Sequence, residues 1–375
     1  MRNINMVDLK SQYEKIQDQI DSEVLKVIRS TKYINGPIVQ EFADNLAKYV
    51  GVKYVVPCAN GTDSLLASLM AFDLQPGDEV ITSTFTFIAT AEVISLLGLT
   101  PVLVDILPNT FNLNPEEVEK AITKNTKAII PVHLFGQCAD MEPILEIAKK
   151  HNLYVIEDAC QAIGSEYTFR DRTVKQAGNM GDTGCISFFP SKNLGCYGDG
   201  GAIFTNDENL YNKLKVIVNH GMTVRYYHDY IGINSRLDSI QAAILNVKLK
   251  YLDEYNLARK KVAEKYNNFF SSCKKITTPY QAKNSTHVFH QYSILLNDID
   301  RDKLQQYLNS KGIPTGIYYP VPIHKQKAYK NKFHTNLPIS EEICKKILSL
   351  PIHTEMDDEQ INYITSNVLN FVTNN

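Results

Sequence analysis

The stretch 184–205 constrains the fold most, because it places one lysine between two apolar strands. The predicted strand 185–189 leads to Lys192, and a second predicted strand, 202–205, follows a turn that contains Gly195, Gly198, Gly200 and Gly201. Burial disfavours the charged form of a lysine. A covalent bond from its nitrogen to an aldehyde removes that cost, whereas a solvated lysine in a surface loop is the ordinary alternative. Two sites upstream decide between these interpretations.

The composition excludes several classes of protein. The 375 residues are 44% hydrophobic and 21% charged, with a net charge of -2, which gives no indication of a nucleic-acid partner. No apolar run approaches the length of a membrane span, so we expect no membrane segment and a cytoplasmic location. The seven cysteines form no C-x-x-C pair and the nine histidines show no metal-binding spacing. The sequence therefore predicts reduced core cysteines and no metal site.

Strand and helix patterns alternate through the first two thirds of the chain. Predicted strands at 53–57, 79–83, 101–105, 128–132 and 153–157 are separated by helical patterns such as 115–122 and 141–151. This indicates an α/β fold with a mostly parallel sheet, in which ligands bind at the carboxyl ends of the strands. A long predicted helix, 239–268, leads to an α+β region with a strand at 290–296 and helices at 301–311 and 340–348. We predict a large domain, 1–245, and a small C-terminal domain, 246–375.

Two polar sites coincide with predicted strand ends. Gly61 and Thr62 precede a predicted helix at 65–72, whose free N–H groups favour an anion such as phosphate, although a plain helix cap by Thr62 or Asp63 explains the same residues. Asp158 follows the predicted strand 153–157 and either caps the next helix or pairs with a buried cation. Gln161, three residues on, would lie on the same face of that helical turn.

Taken together, a phosphate site, a carboxylate at a strand end and a buried lysine describe a pocket for pyridoxal 5'-phosphate. In such a pocket the carboxylate keeps the pyridine nitrogen protonated, which makes the ring an electron sink. An aromatic side chain from the run 84–87 is expected to stack on the ring. No P-loop motif and no G-x-G-x-x-G motif after the first strands is present, so nucleotide-binding alternatives are weaker.

Over essentially its whole length the chain resembles the DegT/DnrJ/EryC1/StrS sugar aminotransferases. These are fold-type I pyridoxal-phosphate enzymes with a mixed, mostly parallel sheet in a large domain and a smaller α+β domain. The matching segments are 60–63, 84–90, 131–136, 157–161, 187–192, 198–201, 232–238 and 318–324.

The resemblance implies a role for each matching residue. Lys192 would hold the cofactor and move the proton, Asp158 would pair with the pyridine nitrogen and Gln161 would meet the ring hydroxyl. The other implied cofactor contacts are Gly61, Thr62 and Ser187 at the phosphate, Phe87 stacked on the ring, and Asn234 of the partner subunit. The implied substrate contacts are Arg236, Tyr318 and Tyr319 from the partner subunit, together with His324. For His324, as for His133, a core or loop role explains the residue equally well.

The resemblance also suggests a substrate. The segments 136–140 and 187–207 are most similar to the family's enzymes that aminate the 3-keto group of UDP-N-acetyl-3-oxo-glucuronate for O-antigen sugars, with glutamate as the usual amino donor. Tyr318 departs from them, since some have histidine there. The alternatives are a dTDP-linked 3-keto-6-deoxyhexose, a 4-keto sugar nucleotide, and a non-catalytic sensor that binds the cofactor. Relatives that dehydrate carry histidine in place of the lysine, so Lys192 favours transamination. The resemblance also implies a homodimer with shared active sites.

Overall fold

The computed structural model describes residues 2–329 and 335–374. Its α-helices in chain order are α1 Leu9–Ser30, α2 Pro37–Val50, α3 Gly61–Ala71, α4 Ala89–Leu96, α5 Pro115–Ala121, α6 Met141–His151, α7 Glu208–Ile217, α8 Ser239–Leu249, α9 Leu252–Phe270, α10 Arg301–Ser310, α11 Pro338–Lys346 and α12 Asp358–Asn374. Its strands are β1 Tyr54–Cys58, β2 Glu79–Ser83, β3 Thr100–Val104, β4 Thr126–Ile130, β5 Tyr154–Asp158, β6 Glu166–Thr168, β7 Val174–Gln176, β8 Thr183–Ser187, β9 Gly201–Thr205, β10 Met222–Val224, β11 Tyr227–His228, β12 Ile276–Thr277, β13 Tyr292–Leu296 and β14 Ile347–Leu350.

A seven-stranded sheet with the order β1-β9-β8-β5-β4-β2-β3 forms the centre of the molecule. Strands β8, β5, β4, β2 and β3 pair in parallel, while β9 runs antiparallel to both of its neighbours, β1 and β8. The predicted α/β class and mostly parallel sheet are therefore confirmed. Because β1, β5 and β8 point the same way, the chain that follows Cys58, Asp158 and Ser187 leaves from one edge of the sheet.

The C-terminal part is built on a three-stranded antiparallel sheet, β12-β13-β14. Its apolar core combines side chains of this sheet with helices α9, α10 and α12, and Ile4 from the start of the chain packs into the same core. Leu245 and Leu249, on either side of the predicted boundary at 245, both pack into the core beneath α2. The division into domains 1–245 and 246–375 stays a prediction.

Two predicted helices were wrong in part. The pattern at 239–268 forms two helices, because Lys250 and Tyr251 make tight turns to Val247 and Lys248 that separate α8 from α9. The break lets α8 pack on α1 and α2 while α9 joins the C-terminal core. The predicted helix 340–348 ends at Lys346, since Ile347–Leu350 pairs with β13 instead.

Helix α2 has a proline at its start and a glycine at its end. Pro37 occupies its first position, and Gly51 ends it in the left-handed conformation with φ of 79°. All seven cysteines are free, and five of them are buried. Within residues 2–329 and 335–374, no helix combines the length and apolar character that a bilayer span requires.

Candidate active site

A cavity of about 800 Å³ lies at the carboxyl edge of the large sheet, between it and the C-terminal part of the chain. Its lining includes residues that the sequence analysis selected for the cofactor and substrate: Gly61, Thr62, Phe87, Asp158, Gln161, Ser187, Lys192, Tyr318 and Tyr319. These residues come from positions 61 to 319 of the chain, so the fold alone brings them together.

Lys192 lies in the turn between β8 and β9. Its backbone N–H donates to the Phe189 carbonyl at 2.8 Å, and the Cys196 N–H donates to the Phe188 carbonyl at 2.8 Å, which closes the turn tightly. A Cβ atom on Gly195 would lie 2.3 Å from the Pro190 carbonyl oxygen, so this position requires glycine. Burial lowers the pKa of the Lys192 amine, and the nearby Asp158 carboxylate partly opposes that shift. The amine is therefore easier to deprotonate than a surface lysine.

The Asp158 carboxylate is held in place from two sides. Thr90 Oγ1 donates to its Oδ2 at 2.8 Å and the Cys160 N–H donates to its Oδ1 at 3.2 Å. Asp158 is 6% exposed, and no lysine, arginine or histidine forms an ion pair with it in the part of the chain that the structure describes. The alternative role as a helix cap is wrong, because residues 159–164 form turns. A buried carboxylate without a cation is suited to a cationic ligand group.

The first turn of α3 is suited to bind an anion. Asn60, rather than Thr62 or Asp63, caps this helix, since its side chain accepts the Asp63 N–H at 2.8 Å. The N–H groups of Gly61 and Thr62 remain, because a helix offers no internal acceptor to its leading residues. A Cβ atom on Gly61 would lie 2.6 Å from Ser187 Cβ, so the helix start and the end of β8 approach each other closely. Phosphate fits these N–H groups and the adjacent Ser187 hydroxyl.

Gln161 links the cavity wall to a tyrosine from the C-terminal part. Its Oε1 accepts the Phe135 N–H at 2.9 Å, and its Nε2 donates to the Tyr319 hydroxyl at 3.2 Å. Gln161 lies in a turn, not on a helical turn as predicted. Phe87 is 55% exposed and lines the open side of the cavity, where a flat ligand can stack on it.

Tyr318 and Tyr319 correct one expectation. The resemblance implied that both reach the cavity of the partner subunit, but here they line the cavity of their own chain. The reason is that their segment is fixed to its own subunit at both ends. Gly316 pairs with Ser349 through two backbone hydrogen bonds, and the Ile323 N–H donates to the Thr84 carbonyl at 2.9 Å.

Four other candidates lie outside this cavity. Asn234 is exposed, and half-buried Arg236 donates from Nη1 to Asn219 Oδ1 at 3.2 Å. His324 is buried between the Thr84 hydroxyl, 2.7 Å from its Nδ1, and Glu341. His133 is fully buried: its Nδ1 accepts the Ala139 N–H at 3.0 Å, and its Nε2 donates to Glu157 at 2.8 Å. Glu157 also accepts three backbone N–H groups, so His133 and Glu157 hold the end of β5 in position.

Several residues of the cavity were not among the predicted site residues. Thr90, which orients Asp158, lies inside a matching segment but was not selected. The missed residues of the lining include Cys160, Asp199, His290 and Gln291. His290 and Gln291 open the predicted strand 290–296, and nothing in the local pattern indicates that this part of the chain folds over Lys192.

The donor set fits pyridoxal 5'-phosphate. Free N–H groups at the start of α3 suit its phosphate, the unpaired Asp158 suits a protonated ring nitrogen, and the desolvated Lys192 amine suits its aldehyde. Within the described residues, no group of three or more His, Cys, Asp or Glu side chains could hold a metal ion.

Comparison with known proteins identifies the family. The model of the DegT/DnrJ/EryC1/StrS aminotransferase family matches residues 14–369. The chain belongs to this family. Members are pyridoxal-phosphate-dependent sugar aminotransferases, and the chain is accordingly an aminotransferase that uses this cofactor.

Individual family members are similar along the full chain. The UDP-2-acetamido-2-deoxy-3-oxo-D-glucuronate aminotransferase of Pseudomonas aeruginosa is 45% identical, over 98% of this chain and 100% of that protein. The UDP-N-acetyl-3-dehydro-alpha-D-glucosamine 3-aminotransferase of Acidithiobacillus ferrooxidans is 42% identical, over 96% and 95%. The crystal structure of Streptomyces venezuelae DesV in complex with a ketimine intermediate superposes with a TM-score of 0.94, at 35% identity and 99% coverage of both chains. This aminotransferase architecture confirms the fold that the resemblance implied.

Proposed function

We propose that this aminotransferase moves the amino group of glutamate to the 3-keto carbon of a UDP-linked N-acetyl-3-oxo-glucuronate-type sugar. The observation that supports the chemistry is the convergence of Lys192, Asp158 and the start of α3 in one cavity. The choice of sugar is supported by the two relatives named for UDP-linked 3-oxo sugars. The product would serve O-antigen or other surface polysaccharide synthesis, with the enzyme in the cytoplasm.

In this proposal Lys192 both holds the cofactor and carries the proton. When bound, pyridoxal phosphate supplies an electron sink for the C–H bond that transamination breaks. The Lys192 amine would remove the proton from the carbon of the amino donor in the first half of the cycle and would deliver a proton to the keto carbon of the sugar in the second, while the cofactor would retain the proton and the amino group between the two halves. Its lowered pKa suits that task, because a general base must be unprotonated at the working pH.

The surrounding residues orient the cofactor. Asp158 keeps the ring nitrogen protonated, and Thr90 and the Cys160 N–H prevent its carboxylate from rotating away. Gly61, Thr62 and Ser187 bind the phosphate, Phe87 covers one face of the ring, and Gln161 meets the ring hydroxyl. Asn234 reaches the phosphate from the partner subunit. Tyr318 and Tyr319 contact the sugar nucleotide from the subunit that holds Lys192, and His324 fixes their segment against Thr84.

A panel assay tests the substrate most directly. The purified enzyme is given glutamate with 3-keto and 4-keto sugar nucleotides linked to UDP or dTDP, and initial rates are measured for each. Highest kcat/KM on the UDP-linked 3-keto uronate supports the proposal. A preference for a dTDP-linked 6-deoxy sugar or a 4-keto sugar would replace the substrate while leaving the chemistry intact.

Arg236 is expected to recognise the carboxylate of the sugar. Guanidinium and carboxylate groups form planar two-pronged pairs that lysine cannot reproduce. Arg236→Lys should lower kcat/KM for the acidic sugar by about 10–100-fold, the usual cost of a charge-assisted hydrogen bond. Steady-state kinetics on an acidic sugar and its neutral 6-deoxy analogue measure the difference. Equal losses on both sugars would mean that Arg236 does not recognise the carboxylate.

We also predict that the enzyme is a homodimer in which each active site contains residues of both subunits. Asn234 and Arg236 lie outside the cavity of their own chain, and the nearby hairpin β10–β11 exposes apolar side chains, with Tyr226 76% and Ile231 88% exposed. A two-fold dimer would cover such a surface and bring both residues to the neighbouring site.

Mixing two inactive variants measures this sharing. After subunit exchange, Lys192→Ala and Arg236→Ala proteins should regain about a quarter of wild-type activity, because half of the random dimers carry one intact site. Native mass spectrometry shows whether exchange has occurred. Exchange without any regained activity would contradict a site built from two subunits.

A further inference from the structure

His290 is an ionisable side chain of the cavity that the roles above do not use. It precedes β13, is 6% exposed and lines the cavity together with Lys192. Burial holds the pKa of its imidazole well below the usual value, and the positive charges of Lys192 and Arg259 lower it further. The ring is therefore neutral at physiological pH.

The backbone around His290 is held by a buried arginine and by a strained residue, both of which cost folding free energy. Arg259, 3% exposed, donates from Nη1 to the carbonyl oxygens of Phe289 and His290, each at 3.3 Å, and of Ile352 at 3.0 Å. Among the residues that the structure describes, no carboxylate pairs with this guanidinium, and burying it in that state costs free energy. Burial also lowers the pKa of Arg259 to about 10. Phe289 is also held in the left-handed region, with φ of 48°.

The same segment is connected to the lysine turn. Asn193, the residue after Lys192, donates from Nδ2 to the Val288 carbonyl at 3.0 Å. The Val288 N–H in turn donates to the Gly136 carbonyl at 2.8 Å. A Cβ atom on Gly136 would lie 2.9 Å from the backbone nitrogens of Phe289 and His290, so the two segments pack as closely as glycine allows. His290 is thus fixed relative to Lys192.

The hydrogen-bonding state of the ring determines what it can offer. Nδ1 is buried and has no hydrogen-bond partner within the described parts of the chain. A buried N–H without an acceptor is rarer and costlier than a bare lone pair, which places the single ring proton on Nε2. Because the ring lines the cavity and Nδ1 is enclosed, Nε2–H is the group that a ligand can reach.

We infer that His290 is a substrate-binding residue that donates its Nε2–H to an oxygen of the substrate bound beside Lys192. Both substrates of transamination place such an oxygen two bonds from the carbon that Lys192 must reach. In the amino donor it is a carboxylate oxygen, and in the keto sugar it is the hydroxyl oxygen of a neighbouring carbon. This inference rests on the proposed role of Lys192.

The two half-reactions, measured separately by rapid mixing from the absorbance of the bound cofactor, test this inference. His290→Phe removes the donor, whereas His290→Gln keeps an N–H near the position of Nε2. We expect His290→Phe to slow at least one half-reaction by about 10-fold, and His290→Gln to restore most of that loss. Loss in the amino-donor half identifies the carboxylate as the acceptor, and loss in the sugar half identifies the sugar oxygen.

Controls separate binding from stability. His353→Phe alters another buried histidine, 2% exposed and outside the cavity, and should leave both half-reactions unchanged. Borohydride trapping on Lys192 in each variant shows that the cofactor site is intact. An error in the proposed role of Lys192 is thereby distinguished from an error in the proposed role of His290. If His290→Phe does not fold, His290→Leu removes the donor with a smaller side chain. Half-reactions within about twofold of wild type, or equal losses in the Phe and Gln variants, would overturn the inference.

Discussion

Replacing Lys192 with alanine should abolish the covalent attachment of the cofactor and reduce kcat by at least about 10²–10⁴-fold, the contribution of a positioned acid–base group. The reason is that one amine performs two tasks, holding the aldehyde and moving the proton at the substrate carbon. Wild-type protein should be yellow as purified, and borohydride should fix the cofactor to Lys192. Mass spectrometry of the digested protein locates the modified peptide.

The exposed Lys53, outside the cavity, provides the matched control for this experiment. Lys53→Ala should keep the colour, the borohydride adduct on Lys192 and wild-type turnover. A Lys192→Ala protein that retained activity within about tenfold of wild type would refute the assignment, as would an adduct on a different lysine.

Replacing Asp158 with asparagine should have the next largest effect, a loss of about 150- to 5,000-fold in kcat/KM. Asparagine keeps the shape of the side chain, with its Oδ1 for the Cys160 N–H and its Nδ2 facing the Thr90 hydroxyl, which can accept as well as donate. It removes the negative charge, however, and the loss of one partner from a buried ion pair costs about 3–5 kcal/mol. Steady-state kinetics at saturating cofactor measure the effect on turnover, and titration with the cofactor measures the effect on its affinity.

Asp199 allows the effect of burial to be separated from the effect of charge. It lines the same cavity but is exposed, so its charge is screened by water. Asp199→Asn should therefore lower kcat/KM far less than Asp158→Asn. Similar losses in the two variants would show that the total negative charge of the cavity matters, rather than a specific pairing of Asp158 with the ring nitrogen.

The local sequence was sufficient to place the proposed cofactor residues at one edge of the sheet, because each follows a predicted strand. Gly61 comes after β1, Asp158 ends β5 and Lys192 follows β8. In a parallel sheet the carboxyl ends of the strands meet at one edge, so the strand pattern places all three residues at that edge, and the strand order of the folded sheet brings them together. The helix cap is the exception: both Thr62 and Asp63 fit the pattern, and only the backbone geometry shows that Asn60 is the cap.

The residues that cover the cofactor site could not be predicted from local sequence. His290 and Tyr319 are brought over Lys192 by contacts between distant segments, such as those of Arg259 with Ile352 and of Gly316 with Ser349. The break between α8 and α9 and the strand Ile347–Leu350 arise for the same reason.

In each of these places the local pattern permits more than one structure. The sequence by itself determined the sheet edge and the chemistry placed along it, because strand alternation and strand ends are local properties. Only the tertiary structure decided which side chains close the cavity over Lys192, because that choice depends on packing between parts of the chain that are far apart in sequence, such as Gly136 against Phe289.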